Sequence, residues 1–180
     1  MYNSVIRKGK ISLFLSDLAR IPCVKTDKKL KKNLTAALEI VKSLLDGNIT
    51  KEIKVNKSIQ LSLTMCGNAR IKSLNRDFRQ KNKVTDVLSF PMHESMRKNK
   101  VESYVNMLET LNLGDIVISK DIAKKQATEF NITYEQEVIH LFVHGILHLL
   151  GFDHEVSSEE EKIMEELEKK MVKKIYKSLD

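Results

Sequence analysis

The sequence predicts an α+β fold, with a mixed β-sheet packed against helices in one compact domain that spans residues 1–180. Three observations favour this class. Segments with the alternating pattern of strands lie between segments with the helical period. No repeat, low-complexity tract or Gly/Ser-rich linker divides the sequence. A chain of 180 residues is long enough for one well-packed domain but short for two.

The first half of the chain predicts a long helix, a strand and a short helix. Thr26–Leu45 is amphipathic, and its apolar side contains Leu30, Leu34, Ala37, Leu38, Val41 and Leu45. Ser58–Cys66 alternates apolar residues with small polar ones, which is typical of a half-buried strand. Asn68 is expected to cap the short helix. The inner face of this helix is expected to contain Ile71, Leu74 and Phe78.

Two further strands are predicted, Val84–Phe90 and Gly114–Ser119. Pro91 stops the first of them, because proline cannot donate to a strand ladder. Ser119 is expected to cap a helix that continues through Phe130.

The last two predicted helices have clear boundaries. Thr133 and Gln136 form a capping box at the start of the first one, and Gly151 is well placed to end it. The second begins near Ser158, with glutamates in its first turn and lysines towards its end, an order that suits the helix dipole. Its buried stripe is expected to contain Met164, Leu167, Met171 and Ile175.

The composition indicates a soluble, cytoplasmic protein. Asp17 interrupts the N-terminal apolar segment and no small-residue cleavage site follows, so no signal peptide is expected. The longest uncharged run, Val138–Phe152, is too short to span a bilayer, so no membrane association is expected. Cys23 and Cys66 form no CxxC pair, and neither a disulfide nor a zinc finger is expected.

The charge is unevenly distributed along the chain. Residues 1–100 contain 22 Lys and Arg but 8 Asp and Glu, whereas residues 101–180 contain 9 and 16. Such an asymmetry favours a polyanionic partner on one face of the molecule.

The segment HGILHLLGFDH, residues 144–154, predicts a metal site. His144 and His148 are four residues apart on a helix, so their Cβ atoms lie about 5–6 Å apart on one face. Once Gly151 ends the helix, the chain can turn back and present His154 as a third nitrogen. One zinc ion per chain suits three imidazoles, with a fourth position open to water. Histidines of an apolar core can instead bind backbone carbonyls, but three converging ones are hard to satisfy without a metal.

The residue that follows the first histidine weakens the hypothesis of a zinc peptidase. In the H-E-x-x-H pattern the glutamate beside the first histidine is the general base, and Gly145 cannot take that role. Glycine costs about 1 kcal/mol relative to alanine inside a helix, so Gly145 is expected to permit a close approach of backbone or substrate. Three neutral imidazoles also leave the full charge of zinc uncompensated, which favours an anionic ligand. His140, one turn upstream, lies either behind the ligands or in the core.

The segment Ala69–Lys83 is strongly basic, with Asp77 as its single acidic residue. Its basic residues are Arg70, Lys72, Arg76, Arg79, Lys81 and Lys83. Arginine binds phosphate bidentately and keeps its charge, so it suits both docking and stabilisation of a transition state. An ordinary solvated helix face would have a similar composition.

Together these residues resemble the YbeY family of zinc-dependent endoribonucleases, which mature ribosomal RNA. The segment HGILHLLGFDH is similar to the zinc signature of the family, with His144, His148 and His154 at the ligand positions. LNRDFRQKNKVTDVLSFP (74–91) resembles its arginine-bearing segment, and LGDIVIS (113–119) its following strand. The resemblance covers about residues 58–180. Val84 stands where the family usually has proline, and the connection from residue 92 to residue 112 is longer than usual.

The resemblance implies a zincin-like metal helix and a zinc-dependent, single-strand-specific endoribonuclease that acts in ribosomal RNA maturation and ribosome quality control. Arg79 takes the place of the arginine implicated in catalysis, and Arg76, Lys81 and Lys83 are candidate RNA contacts. The expected partners are single-stranded or ribosomal RNA and a ribosomal subunit or assembly factors. Two alternatives stay open: a peptidase-like zinc hydrolase that uses another carboxylate such as Asp153 as base, and a ribosome-assembly factor whose zinc is structural.

Overall fold

The part of the chain described by the computed structural model comprises residues 2–18, 27–46, 58–93, 109–153 and 156–179. Within these ranges the chain forms five strands and five helices. In chain order they are β1 (Tyr2–Lys8), β2 (Ile11–Asp17), α1 (Lys28–Asp46), β3 (Ser58–Cys66), α2 (Asn68–Arg79), β4 (Val87–Pro91), β5 (Thr110–Ser119), α3 (Lys120–Glu129), α4 (Tyr134–Leu149) and α5 (Ser158–Lys177). The predicted α+β class is confirmed.

The strands form one mixed sheet in the order β1-β2-β3-β5-β4. The three central strands β2, β3 and β5 are parallel, and the strands β1 and β4 pair antiparallel at the two ends of this order. Gly114 permits the last pairing: its φ is +125°, and a Cβ there would lie 2.1 Å from the carbonyl oxygen of Phe90. The glycine of the LGDIVIS segment therefore has a structural role, because no other residue fits beside β4.

Helices cover the two faces of the sheet unequally. The main core lies between the sheet and the helices α1, α4 and α5, and it includes Leu63, Ile116 and Phe142, which are all fully buried. A smaller cluster on the opposite face contains Ile71 of α2 together with Val117 of β5. Because neighbouring residues of a strand point to opposite faces, Ile116 and Val117 show that α4 and α2 lie on opposite sides of β5.

The helix α4 has the predicted boundaries and burial. The Thr133 backbone N–H donates to Oε1 of Gln136 at 2.8 Å, and the Gln136 N–H donates to the Thr133 hydroxyl at 3.2 Å, which completes the capping box. Gly151 follows the helix with a φ of +86°, the left-handed conformation that terminates helices. No helix of the described residues is long and apolar enough to cross a membrane.

The structure corrects the prediction at both ends of α2. Gly67, not Asn68, is the N-cap residue, and the side chain of Asn68 instead accepts a hydrogen bond from the Ser119 hydroxyl at 2.8 Å. Phe78, predicted on the inner face, is 68% exposed. Its ring meets the ring of Phe90 edge to face, with centroids 5.2 Å apart.

Two strand predictions were incomplete. The strand predicted from Val84 begins three residues later, because Asp86 turns the chain: its carboxylate accepts the Val87 N–H at 2.8 Å and the Gln126 side-chain amide at 2.9 Å. The hairpin of β1 and β2 was not predicted.

Of the two cysteines, the structure describes Cys66. Cys66 is a buried free thiol, and burial raises its pKa to about 11, which keeps the sulfur protonated and unreactive. Cys23 lies outside the described residues.

Candidate metal centre

The two helical histidines of the predicted metal site lie together. The Nε2 atoms of His144 and His148 are 3.1 Å apart, and the ring centroids are 4.8 Å apart. Both side chains are half-buried on a helix whose other positions are largely in the core. The two nitrogens point at each other because residues four apart share a helix face.

A carboxylate from another helix lies behind the first histidine. Glu168 of α5 places its Oε2 3.1 Å from Nδ1 of His144, and its other oxygen contacts Nε2 of His140. The Glu168 side chain is 13% exposed. With this carboxylate as acceptor, Nδ1 of His144 carries the proton and Nε2 is left with a lone pair, which is the tautomer that a metal ion needs.

The polar groups form a row along one side of α4. Glu137, which is 1% exposed, has its Oε2 3.6 Å from Nδ1 of His140, and His140 contacts Glu168 in turn. Glu137 and Glu168 raise the pKa of His140 to about 10. Burial alone would raise the pKa of Glu168, but hydrogen bonds from His140 and His144 outweigh it and lower that pKa to about 2. Glu168 is therefore an anion at neutral pH, and His140 is a cation.

This row borders a cavity of about 630 Å³ between α4 and α5. His140, His144 and Glu168 contribute polar groups to its lining, and Met164 and Val172 contribute apolar surface. The cavity therefore borders His144, the first of the two helical histidines.

Gly145 packs directly on the sheet. A Cβ at this position would lie 2.9 Å from Cγ2 of Ile116, a fully buried residue of β5. The close approach expected of Gly145 is thus made to the core and not to a substrate. A glutamate there would have to enter the interface between α4 and β5, so the general base of the H-E-x-x-H pattern has no room in this fold.

The chain turns back after α4, as predicted. The Gly151 N–H donates to the carbonyl of His148 at 2.9 Å, and the Phe152 N–H donates to the carbonyl of Leu147 at 3.0 Å. Phe152 is 4% exposed and anchors the turn in the core. The third predicted ligand, His154, lies outside the described residues. Within the described ranges, no three His, Cys, Asp or Glu side chains form a group that could hold a metal.

The basic segment lies at the C-terminal end of α2. Arg76 and Arg79 are in its last turn, and Lys81 and Lys83 follow in the connection to β4. All four side chains are exposed. Arg76 is paired with Asp77, with Nε 2.8 Å from Oδ1.

The loop that carries the lysines is held by a residue that the sequence analysis did not single out. Asn75 is 2% exposed, and its side-chain amide donates to the carbonyl of Lys83 at 2.9 Å. Its own carbonyl accepts the N–H of Lys81 at 3.1 Å. These two bonds hold the loop against the end of α2. The exposed residues Arg76, Arg79, Lys81 and Lys83 of this segment are called the basic surface below.

The basic surface and the histidine pair are on different sides of the sheet. The helix α4 contacts β4 and β5 on one face, and α2 contacts the same strands on the other. β4 is the last strand in the order of the sheet. A path from Arg79 on one face to His144 on the other therefore runs around β4. A group that contacts both therefore has to lie at the edge of the sheet, beside β4.

Sequence analysis also missed Glu168, although a signal was present. Glu168 lies four residues after Met164 and three before Met171, both of which are buried, so it stands on the apolar stripe of α5. A carboxylate on such a stripe needs a cationic or hydrogen-bonding partner. The sequence did not indicate that this partner is on α4.

Comparisons with known proteins show the family to which this chain is similar. The model of the family described as Endoribonuclease YbeY matches residues 23–176. A curated Endoribonuclease YbeY from a Sulfurihydrogenibium species is 42% identical over 140 residues, which are 76% of this chain and 85% of the relative. That of Aquifex aeolicus is 44% identical over 122 residues, which are 68% and 74% of the two chains. A Thermotoga maritima protein with a known solution structure has 28% identity and a TM-score of 0.56, with 92% of this chain and 91% of that protein covered.

Proposed function

Because this chain belongs to the YbeY family of endoribonucleases, we propose that it is a zinc-dependent hydrolase that cleaves single-stranded RNA. We place this activity in the maturation of ribosomal RNA and in ribosome quality control, in the cytoplasm, with a ribosomal subunit or an assembly factor as partner. The supporting observation is the pair of imidazole nitrogens of His144 and His148, 3.1 Å apart and braced by Glu168.

The residues present fit a zinc ion. Zinc binds histidine nitrogen at about 2.0–2.1 Å in tetrahedral geometry, so two ligand nitrogens lie about 3.3 Å apart. The 3.1 Å between the Nε2 atoms is close to this value. The carboxylate on the other nitrogen of His144 is the partner that metal-ligating histidines commonly have. His144, His148 and His154 would hold one ion per chain, with α4 as a zincin-like metal helix.

Zinc supplies Lewis-acid chemistry at such a site and makes bound water more acidic. The protein groups set the conditions for it. Glu168 accepts a hydrogen bond from Nδ1 of His144, so Nε2 is the nitrogen that faces the ligand site. Glu168 also places a negative charge one imidazole away from the ligand site, so the charge of an all-histidine site is partly compensated from outside the ligand set.

Arg79 supplies positive charge to the RNA. A guanidinium can bind two phosphate oxygens at once. We assign it the neutralisation of charge that develops on the phosphoryl group in the transition state. Arg76, Lys81 and Lys83 would bind neighbouring phosphates, which gives salt-sensitive binding with little base preference.

The histidine pair lies on one side of β4 and the basic surface on the other, and this arrangement favours a polymeric substrate. A single-stranded RNA can pass around the edge of the sheet with the scissile phosphate at that edge, between the histidines and Arg79, and with neighbouring phosphates on Arg76, Lys81 and Lys83. Ile116 fills the space that a glutamate at position 145 would need, so a peptidase-like alternative would depend on another carboxylate, such as Asp153, as its base.

The first test is cleavage of end-labelled single-stranded RNA by the wild type and by His148→Ala, purified side by side. We expect cleavage by the wild type alone, its loss with a chelator and its return with zinc. Equal cleavage by both proteins would indicate a contaminating nuclease. Intact RNA with both, despite tight RNA binding and bound zinc, would support the assembly-factor alternative.

A further inference from the structure

The last turn of α2 carries an exposed aromatic ring in an unusual setting. Phe78 is 68% exposed, and its ring leans on Phe90 edge to face, with centroids 5.2 Å apart and planes at 70°. An edge-to-face contact holds a ring in place while the rest of its surface remains open. Single exposed apolar residues are common on protein surfaces, so exposure alone has no functional meaning.

The residues around Phe78 indicate a function for its exposed ring. It precedes Arg79 directly, and Arg76, Lys81 and Lys83 complete a set of four exposed cations within one helical turn and the following loop. Asn75 fixes that loop on the helix by its bond to the carbonyl of Lys83. An oriented ring on the same short segment as several basic residues suits a nucleic acid strand, in which each base is attached to a phosphate.

Phe130 offers a contrast within the same protein. It is exposed to a similar degree, 61%, but it follows α3, where the ion pair of Lys125 and Glu129 neutralises the local charge. No aromatic contact of Phe130 exists among the described residues. Around Phe78 four basic residues, Arg76, Arg79, Lys81 and Lys83, stand against one acid, Asp77, which is paired with Arg76. A supported ring beside this excess of basic residues distinguishes Phe78 from Phe130.

We propose that Phe78 is a stacking site for one unpaired base of single-stranded RNA, next to the phosphate bound by Arg79. The inference deepens the proposed function, on which it rests. A base in a duplex is stacked on both sides and cannot present its face to Phe78, whereas a base in a single strand can. Phe78 therefore contributes to the preference for unpaired RNA without reading the identity of the base, because every base has an aromatic face.

The test measures RNA affinity by fluorescence anisotropy with a short labelled RNA that has no self-complementarity. A second oligomer of equal length carries abasic sites in its central positions. All proteins are full-length and carry His148→Ala, so that the RNA is not consumed. The variants are Phe78→Leu, which keeps an apolar side chain and removes the ring, Phe78→Trp, which keeps a ring, and Phe130→Leu as the matched control.

We expect Phe78→Leu to weaken binding of the normal RNA about tenfold, the loss of one base–aromatic stack. Phe78→Trp and Phe130→Leu should bind like the parent. Phe78→Leu should leave binding of the abasic oligomer unchanged and keep the salt dependence of the parent, since no phosphate contact is removed. Unchanged affinity for the normal RNA, or an equal loss for both oligomers, would overturn the proposal; the second result would show that Phe78 only supports the basic loop.

A cleavage assay separates the stacking site from the proposed nuclease activity. In this assay the same RNA is incubated with the protein that retains His148. Cleavage without an effect of Phe78→Leu on binding refutes the stacking site and leaves the nuclease intact. Binding that depends on Phe78, without cleavage, refutes the nuclease and leaves the stacking site. A parent protein that binds neither oligomer refutes the stacking site, and cleavage by the protein that retains His148 then decides on the nuclease alone.

Discussion

Oε2 of Glu168 lies 3.1 Å from Nδ1 of His144, across the interface between α4 and α5. This contact makes the far helix part of the candidate metal centre. It fixes both the orientation of the imidazole and the nitrogen that carries its proton.

Glu168→Gln is expected to lower zinc affinity by about 10- to 100-fold, the usual effect of losing a carboxylate behind a metal-ligating histidine. Competition with a chromophoric chelator measures the affinity, and circular dichroism verifies the fold. Glu165→Gln is the matched control, because Glu165 is an exposed residue of the same helix paired with Lys169. Equal zinc affinity of Glu168→Gln and the wild type would contradict the role of Glu168.

Arg79→Ala is expected to lower turnover about a hundredfold or more with little change in RNA affinity, because the lost charge acts on the transition state. Single-turnover cleavage and anisotropy titrations separate the two quantities. Arg76→Ala is the control: it is expected to weaken binding slightly and leave the chemical step unchanged. Equal losses of turnover and affinity in Arg79→Ala would make Arg79 a docking residue.

Gly145→Ala is expected to destabilise the protein, since the added methyl lies 2.9 Å from Ile116 in a fully packed interface. Overpacking costs about 1–3 kcal/mol, and the higher helix propensity of alanine offsets about 1 kcal/mol of it. Urea denaturation measures the free energy of unfolding. In the double variant with Ile116→Ala the two effects should not add, because the smaller side chain makes room for the methyl. Strict additivity would show that the two residues do not interact.

His140 is expected to remain protonated at neutral pH in the metal-free protein. Its pKa of about 10, raised by Glu137 and Glu168, lies above the value of about 6.5 in an unfolded chain. Its charge therefore stabilises the fold fully below about pH 6.5, and this contribution is lost as the pH rises through about 10. The imidazole proton resonances of His140 report the titration by NMR. A midpoint near 6.5, or no decrease of it in Glu168→Gln, would contradict the paired state.

Zinc occupancy is expected to fall when the pH drops below the pKa of the ligand histidines, since only unprotonated imidazole binds the ion. Metal analysis after dialysis at a series of pH values measures the occupancy. Full occupancy down to about pH 4 would be inconsistent with a site made of histidines alone.

Local patterns predicted those parts of the fold that depend on near neighbours. The capping box of Thr133 and Gln136, the stop at Gly151 and the stripe with Met164 and Met171 all followed from residues within one or two turns of each other. Predictions were less accurate where contacts between residues far apart in the sequence determine the structure. The start of β4 depends on the bond of Asp86 to Gln126, and Phe78 faces outward beside Phe90.

The same distinction applies to the candidate site. The spacing of His144 and His148 by itself determined that their side chains share a face, because the α-helical repeat is a local property. Only the tertiary structure decided that Glu168 stands behind His144, that Ile116 fills the space beside Gly145, and that α2 lies across the sheet from α4. These relations join residues far apart in sequence, and they result from the packing of helices and strands around a common core, which no short pattern encodes.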